Sequence, residues 1–388
     1  MGKRMLAVLF VLMLVVFALT DSHVVMDTVS QVWKTLGAGR TVNVQAEISQ
    51  FTFVQKEGFF RQYDFIEANG LAHVIMGTRW MNAVYKLGNG YLASADPQMD
   101  TSAHALSVLA LDKELRDRGI AFVYVQAPKE VDRNDTALPN GFHDFSNQNA
   151  NDFVQTLRAA QLPVLDLREQ IEQEGLNLYD LFFNTDHHWT PDAGFWAFRE
   201  IMAEFSARYG VAVEARVIDA AQYEREVYPG TFLGSHGKRT GRYFAGMDDM
   251  TLIKPKFETA LAMYLPHRGE ERIGTFEEVM FRRQNLEKEN LFERNNYYTY
   301  LGANYENARF RNENALGKEK VLLVSDSFSM VVIPYFALAF QQVDTIDLRY
   351  YLEVETLLQY IDREKPDYLV MLYTAGSLSD KVLFGFGI

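Results

Sequence analysis

Hydrophobic residues downstream of position 101 fall into short apolar runs separated by longer amphipathic stretches. Short uninterrupted runs are typical of strands buried on both faces, whereas apolar residues spaced three and four apart are typical of helices. The pattern predicts strands at 121–127, 162–167, 319–324, 343–348 and 367–373, and helices at 103–118, 147–160, 331–340 and 354–363. Helices that alternate with buried strands indicate an α/β fold, in which a parallel sheet carries helices on both faces.

Other segments do not follow this alternation of strands and helices. An Asn89-Gly90 pair between apolar flanks predicts a β-hairpin at 84–92. Thr190 and Pro191 favour a helix cap and a first helical turn, and they predict a helix that runs down to Gly210. Periodicity is lost between about 211 and 316, and so long a stretch without clean elements predicts an irregular or β insertion that shapes a site.

The N-terminus has the layout of an export signal, because Lys3 and Arg4 precede an uncharged run from Met5 to Leu19. Such a run is either cleaved as a signal peptide or kept as a membrane helix, and the poorly defined cleavage site favours the membrane helix. We therefore expect a single-pass protein of the cytoplasmic membrane, with the rest of the chain in the periplasm or at the cell surface. The expected parts are an anchor or signal peptide at 1–22, a stem at 23–50 and a domain at 51–388.

Composition narrows the classes of partner. The formal charge of −13 argues against nucleic acid, which rewards a basic face. The chain has no cysteine, so disulfides, thiolate metal sites and a cysteine nucleophile are excluded. Asp186, His187 and His188 are possible metal ligands, but adjacent histidines usually point apart and no HExxH spacing occurs. We therefore expect neither a metal nor a cofactor.

Two distant segments together supply the parts of an activated-serine site. A serine hydroxyl needs a base within hydrogen-bonding reach, and that base works best when a carboxylate fixes its tautomer. Asp186 and His188 offer the carboxylate and the imidazole from one loop, and Ser327 offers the hydroxyl just past a buried strand. Alternatively, the first two belong to a capping cluster ahead of the predicted helix, and Ser327 is a helix cap. Their shared position at strand ends favours the site.

These residues carry a resemblance to a known family. The sequence Asp186-His187-His188-Trp189, with Ser325-Asp326-Ser327-Phe328 downstream, resembles the DHHW family, which is related to alginate O-acetyltransferase proteins with an SGNH-hydrolase-like domain. The segments 127–130 and 365–367 are also similar to blocks of that family. The resemblance implies a flavodoxin-like sheet in which the motif order is permuted relative to ordinary SGNH esterases. It also implies that Ser327 is the nucleophile, His188 the general base and Asp186 the orienting acid.

Other parts of the site are less defined by the sequence. Ser325 stands where the family usually has glycine, which could reshape the turn or offer a second hydroxyl. The candidate oxyanion donors are Gly302 with Asn304, or Gly376, and the alternative for each is an ordinary turn residue. Arg239, Arg242 and Arg349 could line a polysaccharide groove or form salt bridges.

The resemblance implies an extracytoplasmic O-acetyltransferase that passes acetyl through Ser327 to hydroxyls of a cell-surface or exported polysaccharide. It also implies a partner, an MBOAT-type membrane acyltransferase that delivers the acetyl group. One alternative is a carbohydrate acetylesterase, in which water replaces the sugar at the same site. Another is a non-catalytic polysaccharide-binding or assembly protein that kept the fold.

Overall fold

The computed structural model describes residues 61–134, 138–316, 318–351 and 355–387. The segments predicted at 1–22 and 23–50 therefore lie outside the described residues. The chain divides into two units, residues 1–69 and 70–388. In the first unit the described residues are 61–69, where helix α1 (Gln62–Ile75) begins. The second unit contains the sheets and the candidate site.

The predicted localisation needs correction. Among the helices of the described ranges, none combines the length and the apolar composition that crossing a bilayer requires. The longest of them, Pro191–Tyr209, carries charged side chains along its length, including Asp192, Glu200 and Arg208. Because a charged side chain in the bilayer core is costly, such a helix is unsuited to span a membrane. A single-pass placement in the cytoplasmic membrane is therefore not supported by the described residues.

An eight-stranded sheet forms the centre of the second unit. The strands of the described chain are β1 (Trp80–Met81), β2 (Val84–Lys86), β3 (Leu92–Ala93), β4 (Ala121–Ala127), β5 (Val164–Asp166), β6 (Tyr223–Phe232), β7 (Asp248–Pro255), β8 (Leu261–Leu265), β9 (Glu270–Gly274), β10 (Asn307–Arg311), β11 (Lys320–Ser325), β12 (Gln342–Ile346) and β13 (Tyr368–Thr374). The central sheet has the order β5-β4-β13-β11-β12-β10-β8-β9. Two small antiparallel sheets, β1-β2-β3 and β6-β7, accompany it, and β2-β3 is the predicted hairpin.

The central sheet is mixed rather than wholly parallel. Its first five strands, from β5 to β12 in sheet order, pair in parallel. The other three, β10, β8 and β9, extend it with antiparallel pairings. These three strands come from the segment at 211–316, which was predicted as an insertion. The prediction of a parallel α/β sheet is therefore confirmed for the core strands, and it is corrected for the edge.

The remaining helices connect these strands, and several of them cover the two faces of the central sheet. They are α2 (Ser102–Asp117), α3 (Ser146–Ala159), α4 (Leu167–Glu174), α5 (Pro191–Tyr209), α6 (Ala215–Ile218), α7 (Ser235–Thr240), α8 (Arg242–Ala245), α9 (Phe276–Met280), α10 (Gln284–Glu287), α11 (Ile333–Ala339), α12 (Leu348–Tyr351) and α13 (Leu357–Glu364). Because strand side chains alternate between faces, Val123 and Val125 join one apolar layer with α4, α5 and α11. Phe122 and Tyr124 join the other layer, with α2, α3 and α13.

Helix α5 starts as the sequence predicts, and its first turn lies against the segment that carries Ser327. The Thr190 hydroxyl accepts a hydrogen bond from the Ala193 amide at 3.2 Å and so caps the helix. Gly194 packs against Val331, which closes a 3₁₀ turn at Ser327–Val331. A Cβ atom at position 194 would lie 2.7 Å from the Val331 carbonyl oxygen. Only glycine therefore permits this approach.

The substitution Gly194→Ala is expected to destabilise the fold. Overpacking of a buried contact costs about 1–3 kcal/mol, which exceeds the gain of roughly 1 kcal/mol in helix propensity. Equilibrium urea denaturation measures the difference. Ser206→Ala, at an exposed position of the same helix, is the control and is expected to stay within about 0.5 kcal/mol of wild type. A Gly194→Ala protein as stable as the wild type contradicts the close approach.

Candidate active site

The structure brings Asp186, His188 and Ser327 into one hydrogen-bonded chain. Nδ1 of His188 lies 2.5 Å from Oδ1 of Asp186, and Nε2 of His188 lies 2.8 Å from Oγ of Ser327. A nitrogen that faces a carboxylate carries the proton, so Nε2 is left as an acceptor for the Ser327 hydroxyl. This is the geometry that a serine needs in order to lose its proton to an imidazole.

The carboxylate of Asp186 is buried and held by several donors. Oδ1 accepts from the His188 backbone amide at 2.9 Å as well as from its ring, and Oδ2 accepts from the Ser235 amide at 2.5 Å. Burial alone would raise the pKa of Asp186, but the nearby His188 and His187 and these hydrogen bonds hold it well below its ordinary value. Asp186 is therefore ionised and ready to stabilise a protonated His188.

The chain that supplies the Ser235 amide passes very close to the Asp186 loop. A Cβ atom at Gly234 would lie 2.6 Å from the Thr185 carbonyl oxygen and 2.7 Å from Cα of Asp186. The Gly234 amide also donates to Oγ1 of Thr185 at 2.8 Å. Thr185 is fixed in turn by Asp248, whose Oδ2 accepts from its amide at 2.8 Å and its hydroxyl at 2.6 Å. The backbone amides of residues 234 and 235 thus hold the loop that carries Asp186 in place.

Aromatic side chains fix the plane of the His188 ring. Tyr297 stacks on this ring with centroids 4.0 Å apart and an interplanar angle of 14°. The Phe328 ring lies on the imidazole at 5.4 Å, in a tilted arrangement. Nε1 of Trp189 donates to the Phe328 carbonyl oxygen at 2.8 Å, which ties the residue after His188 to the residue after Ser327. These contacts leave His188 little freedom to turn away from Ser327.

Asp326 shapes the serine turn and has a different role from Asp186. Its Oδ1 accepts from the Phe328 amide at 2.9 Å, and its Oδ2 accepts from the Thr374 amide at 2.8 Å and the Ser377 hydroxyl at 2.6 Å. Burial raises the pKa of Asp326, although these bonds oppose the shift. The side chain therefore ties the turn after β11 to the turn after β13.

Ser325 does not compete with Ser327 for the base. The Ser325 hydroxyl is buried and donates to Oγ of Ser329 at 2.7 Å, and Ser329 donates to the Asp326 carbonyl oxygen at 2.9 Å. Ser325, which stands where the family usually has glycine, thus stabilises the turn through these internal hydrogen bonds. Ser327 is the hydroxyl of this segment that meets the imidazole.

Ser327 opens into a cleft of about 490 Å³ at the carboxyl ends of the parallel strands. Of the substrate and oxyanion candidates, Arg239, Arg349 and Gly376 line this cleft. Gly302 and Asn304 do not, which corrects their assignment. The amide of Asn304 is bound to Asp347 at 2.6 Å.

The possible metal ligands are already engaged within the protein. One donor atom from each of Asp186, His187 and His188 lies within 4.8 Å of the others. However, both ring nitrogens of His188 face protein groups, and Nδ1 of His187 lies 2.7 Å from Oγ of Ser235. The donor set therefore fits a hydrogen-bonded site better than an ion, which needs free lone pairs.

Several residues of the site were missed in the sequence. Ser235, Tyr297 and His236 lie in the segment without periodicity, where the sequence gives no element on which to place them. The run Gly234-Ser235-His236 was the available signal, because a small residue followed by polar ones is typical of a turn that approaches another chain closely.

Known proteins of similar sequence and structure share this architecture. A family model for the SGNH hydrolase-like domain of the acetyltransferase AlgX matches residues 88–242, which include Asp186 and His188. Among solved structures, PatB1 of Bacillus cereus with a sulfonyl adduct is 20% identical, with a TM-score of 0.65 over 79% of this chain and 98% of that chain. A DHHW family protein from Eubacterium siraeum is 16% identical, with a TM-score of 0.60 over 79% and 96% of the two chains. No curated protein matches the sequence.

These similarities confirm the resemblance that the sequence motifs indicate. Residues 88–242 are similar to the SGNH hydrolase-like domain of AlgX, and the fold of the chain is similar to those of PatB1 and the DHHW family protein. At 16–20% identity the structural matches establish the fold alone.

The stacking of Tyr297 on His188 yields a test of the ring geometry. Tyr297→Leu removes the ring and is expected to slow the reaction of Ser327 with a sulfonyl fluoride about 2- to 10-fold, the effect of one aromatic pair. Tyr297→Phe keeps the ring and is the matched control, expected to react at nearly the wild-type rate. Labelling that is quenched at a series of times, followed by mass spectrometry, gives both rates. Equal rates for the leucine and phenylalanine variants contradict a role for stacking.

Proposed function

We propose that this protein is an O-acetyltransferase that carries an acetyl group on Ser327 and transfers it to a hydroxyl of a polysaccharide. The observation that supports this most is the continuous series of hydrogen bonds from Asp186 through His188 to Ser327, together with the open cleft that Ser327 lines. The match to the SGNH hydrolase-like domain of an acetyltransferase supports acyl transfer as the class of reaction.

The first half of the reaction forms the acyl-serine. Oγ of Ser327 attacks the ester carbonyl carbon while its proton moves to Nε2 of His188. The ionised Asp186 stabilises the imidazolium through Nδ1. The tetrahedral intermediate then collapses, the bond to the leaving alcohol breaks, and His188 returns the proton to that alcohol. The acetyl group remains on Ser327 as an ester.

The second half repeats these steps with the acceptor. His188 takes the proton of a sugar hydroxyl, whose oxygen attacks the acyl-serine carbonyl carbon. Collapse breaks the bond to Oγ of Ser327, which recovers its proton from His188. The products are the acetylated sugar and the free enzyme, so the proton and the acetyl group both balance.

Backbone donors beside Ser327 are suited to the negative charge that develops on the carbonyl oxygen. The Ser327 amide begins a 3₁₀ turn, and no acceptor within the described chain meets its N–H. Gly376 lines the same cleft, and a Cβ there would have its nearest neighbour 3.6 Å away, at Oδ2 of Asp96. We propose these two positions as the oxyanion site, where a single donor can contribute about 3–4 kcal/mol to the transition state.

The source of the acetyl group follows from the family resemblance alone. We propose that an MBOAT-type membrane acyltransferase delivers it to Ser327. A carbohydrate acetylesterase is the second candidate function, because the cleft is open and water could reach the acyl-serine in place of a sugar. Both candidates share the first half of the reaction. A purely non-catalytic binding protein would have no need for the aligned hydrogen bonds of His188.

The substitution Ser327→Ala is expected to abolish turnover of an activated acetyl ester, with a loss of kcat of at least about a thousandfold, since it removes the nucleophile. Release of the chromogenic alcohol measures turnover. Ser325→Ala is the matched control, because that hydroxyl contacts Ser329 and not His188. Unchanged turnover in Ser327→Ala contradicts the proposal.

The same assay distinguishes transfer from hydrolysis when an oligosaccharide acceptor is added. A transferase is expected to form acetylated oligosaccharide and to release less free acetate, because the sugar hydroxyl competes with water for the acyl-serine. Mass spectrometry of the sugar and enzymatic determination of acetate measure the two products. Acetate alone, across acceptors of different composition, favours the esterase.

A further inference from the structure

Three cationic side chains line the cleft beside Ser327, and they differ in how many of their donors are already used. Nζ of Lys129 lies 2.7 Å from Oδ2 of Asp96 and 3.5 Å from Oδ1 of Asp144. Arg349 places Nε and Nη2 on the two carboxylate oxygens of Asp347, at 3.0 and 2.6 Å. The charges of both cations are therefore balanced within the protein.

Arg239 is the exception. Its guanidinium contacts Nδ1 of His236 through Nη2 at 2.6 Å, and no carboxylate of the described chain pairs with it. A guanidinium has five N–H donors in a fixed fork that matches carboxylate and phosphate oxygens. Most of the donors of Arg239 are thus available to a group in the cleft.

The His236 ring that contacts Arg239 is held in place by Glu130, through the other ring nitrogen. Nδ1 of His236 faces a donor and must carry the lone pair, so Nε2 carries the proton and donates to Oε1 of Glu130 at 3.2 Å. Burial lowers the pKa of His236 and keeps the ring neutral. The Ser94 amide and hydroxyl donate to the same oxygen of Glu130, at 3.1 and 3.2 Å.

The charges of the hydrogen-bonded groups Glu130, His236 and Arg239 are also defined. Burial would raise the pKa of Glu130, but the bond from His236 and the neighbouring Lys129 lower it to about 2, so the carboxylate is ionised. Both Glu130 and His236 are almost fully buried, at 2% and 1% exposure, whereas Arg239 is exposed in the cleft wall. A buried anion and a neutral imidazole thus hold a solvent-facing cation in one place.

We propose that Arg239 binds an anionic group, a carboxylate or a phosphate, on the alcohol portion of the substrate, and that His236 and Glu130 are positioning residues for it. This rests on the proposed function, because the alcohol portion is what Ser327 would acetylate or deacetylate. A free arginine side chain has about 2 kcal/mol of rotamer entropy to lose on binding. Because His236 already orders the Arg239 side chain before a substrate binds, less of this entropy is lost on binding. The cleft therefore prefers substrates that carry a negative charge.

A matched pair of esters tests the proposal. 4-Acetoxybenzoate carries a carboxylate on the alcohol portion, and methyl 4-acetoxybenzoate is its neutral counterpart. The ratio of the two kcat/KM values is expected to fall by about tenfold or more in Arg239→Gln, through the KM of the anionic ester, because one charged hydrogen-bonded pair is lost. Arg239→Lys restores the charge without the fork and is expected to recover part of the ratio. Arg208→Gln, which removes an exposed cation outside the cleft, is expected to leave the ratio unchanged.

The positioning role of His236 is measured by a double-mutant cycle. His236→Phe keeps a ring but has no nitrogen for Arg239, so it is expected to lower the same ratio in the wild-type background and to have no further effect on it in Arg239→Gln. A purely structural role would instead lower turnover of both esters alike in both backgrounds, and that outcome would overturn the positioning role.

A binding measurement separates failure of this inference from failure of the proposed function. NMR titration of Ser327→Ala with the two esters reports binding without turnover. The anionic ester is expected to bind about tenfold more weakly when Arg239→Gln is added, and the neutral one equally well. An unchanged affinity for the anionic ester overturns the inference, whatever the catalytic result. Turnover that survives Ser327→Ala overturns the proposed function, and the titration still decides the role of Arg239.

Discussion

The buried carboxylate of Asp186 is the constraint on which the rest of the site depends. A buried charge is costly unless donors surround it, and here the donors are the ring and amide of His188 and the amide of Ser235. Supplying the last of these requires residues 234–235 to run across the loop at 185–188, which is possible because position 234 has no side chain. The segment that the sequence left without regular elements is therefore needed to hold the acid in place.

The sheet performs the corresponding task for the nucleophile. β11 and β13 are parallel neighbours, with Ser325 opposite Leu372, so the turns that follow them emerge at the same edge. Asp326 then joins these turns through Thr374 and Ser377. Helix α5 adds a third support, because Gly194 allows it to pack directly on the end of the serine turn. Ser327 is thus fixed by the strands, while His188 is fixed by the loop before α5.

The sequence predicts those parts of the fold and of the site whose pattern lies within a short segment, and it does not predict those that depend on contacts between distant segments. The strand predicted at 121–127 is β4 at Ala121–Ala127, because a long apolar run leaves few other interpretations. The strands at the antiparallel edge were missed, because they are short and partly exposed: β9 has Ile273 as its one large apolar residue. Asp186 and His188 could be paired from their spacing, and Ser327 from the strand before it. Asn304 could not be judged, because nothing near it in sequence shows that its amide is spent on Asp347.

The measurement that tests the central claim most directly is intact-protein and peptide mass spectrometry after brief exposure to an activated acetyl ester, with an acid quench. The account predicts one added acetyl group, located on the peptide that contains Ser327, and no adduct there when His188 is replaced by alanine. Ester consumption without any acetyl group on Ser327, or an adduct that forms equally fast without His188, would contradict it.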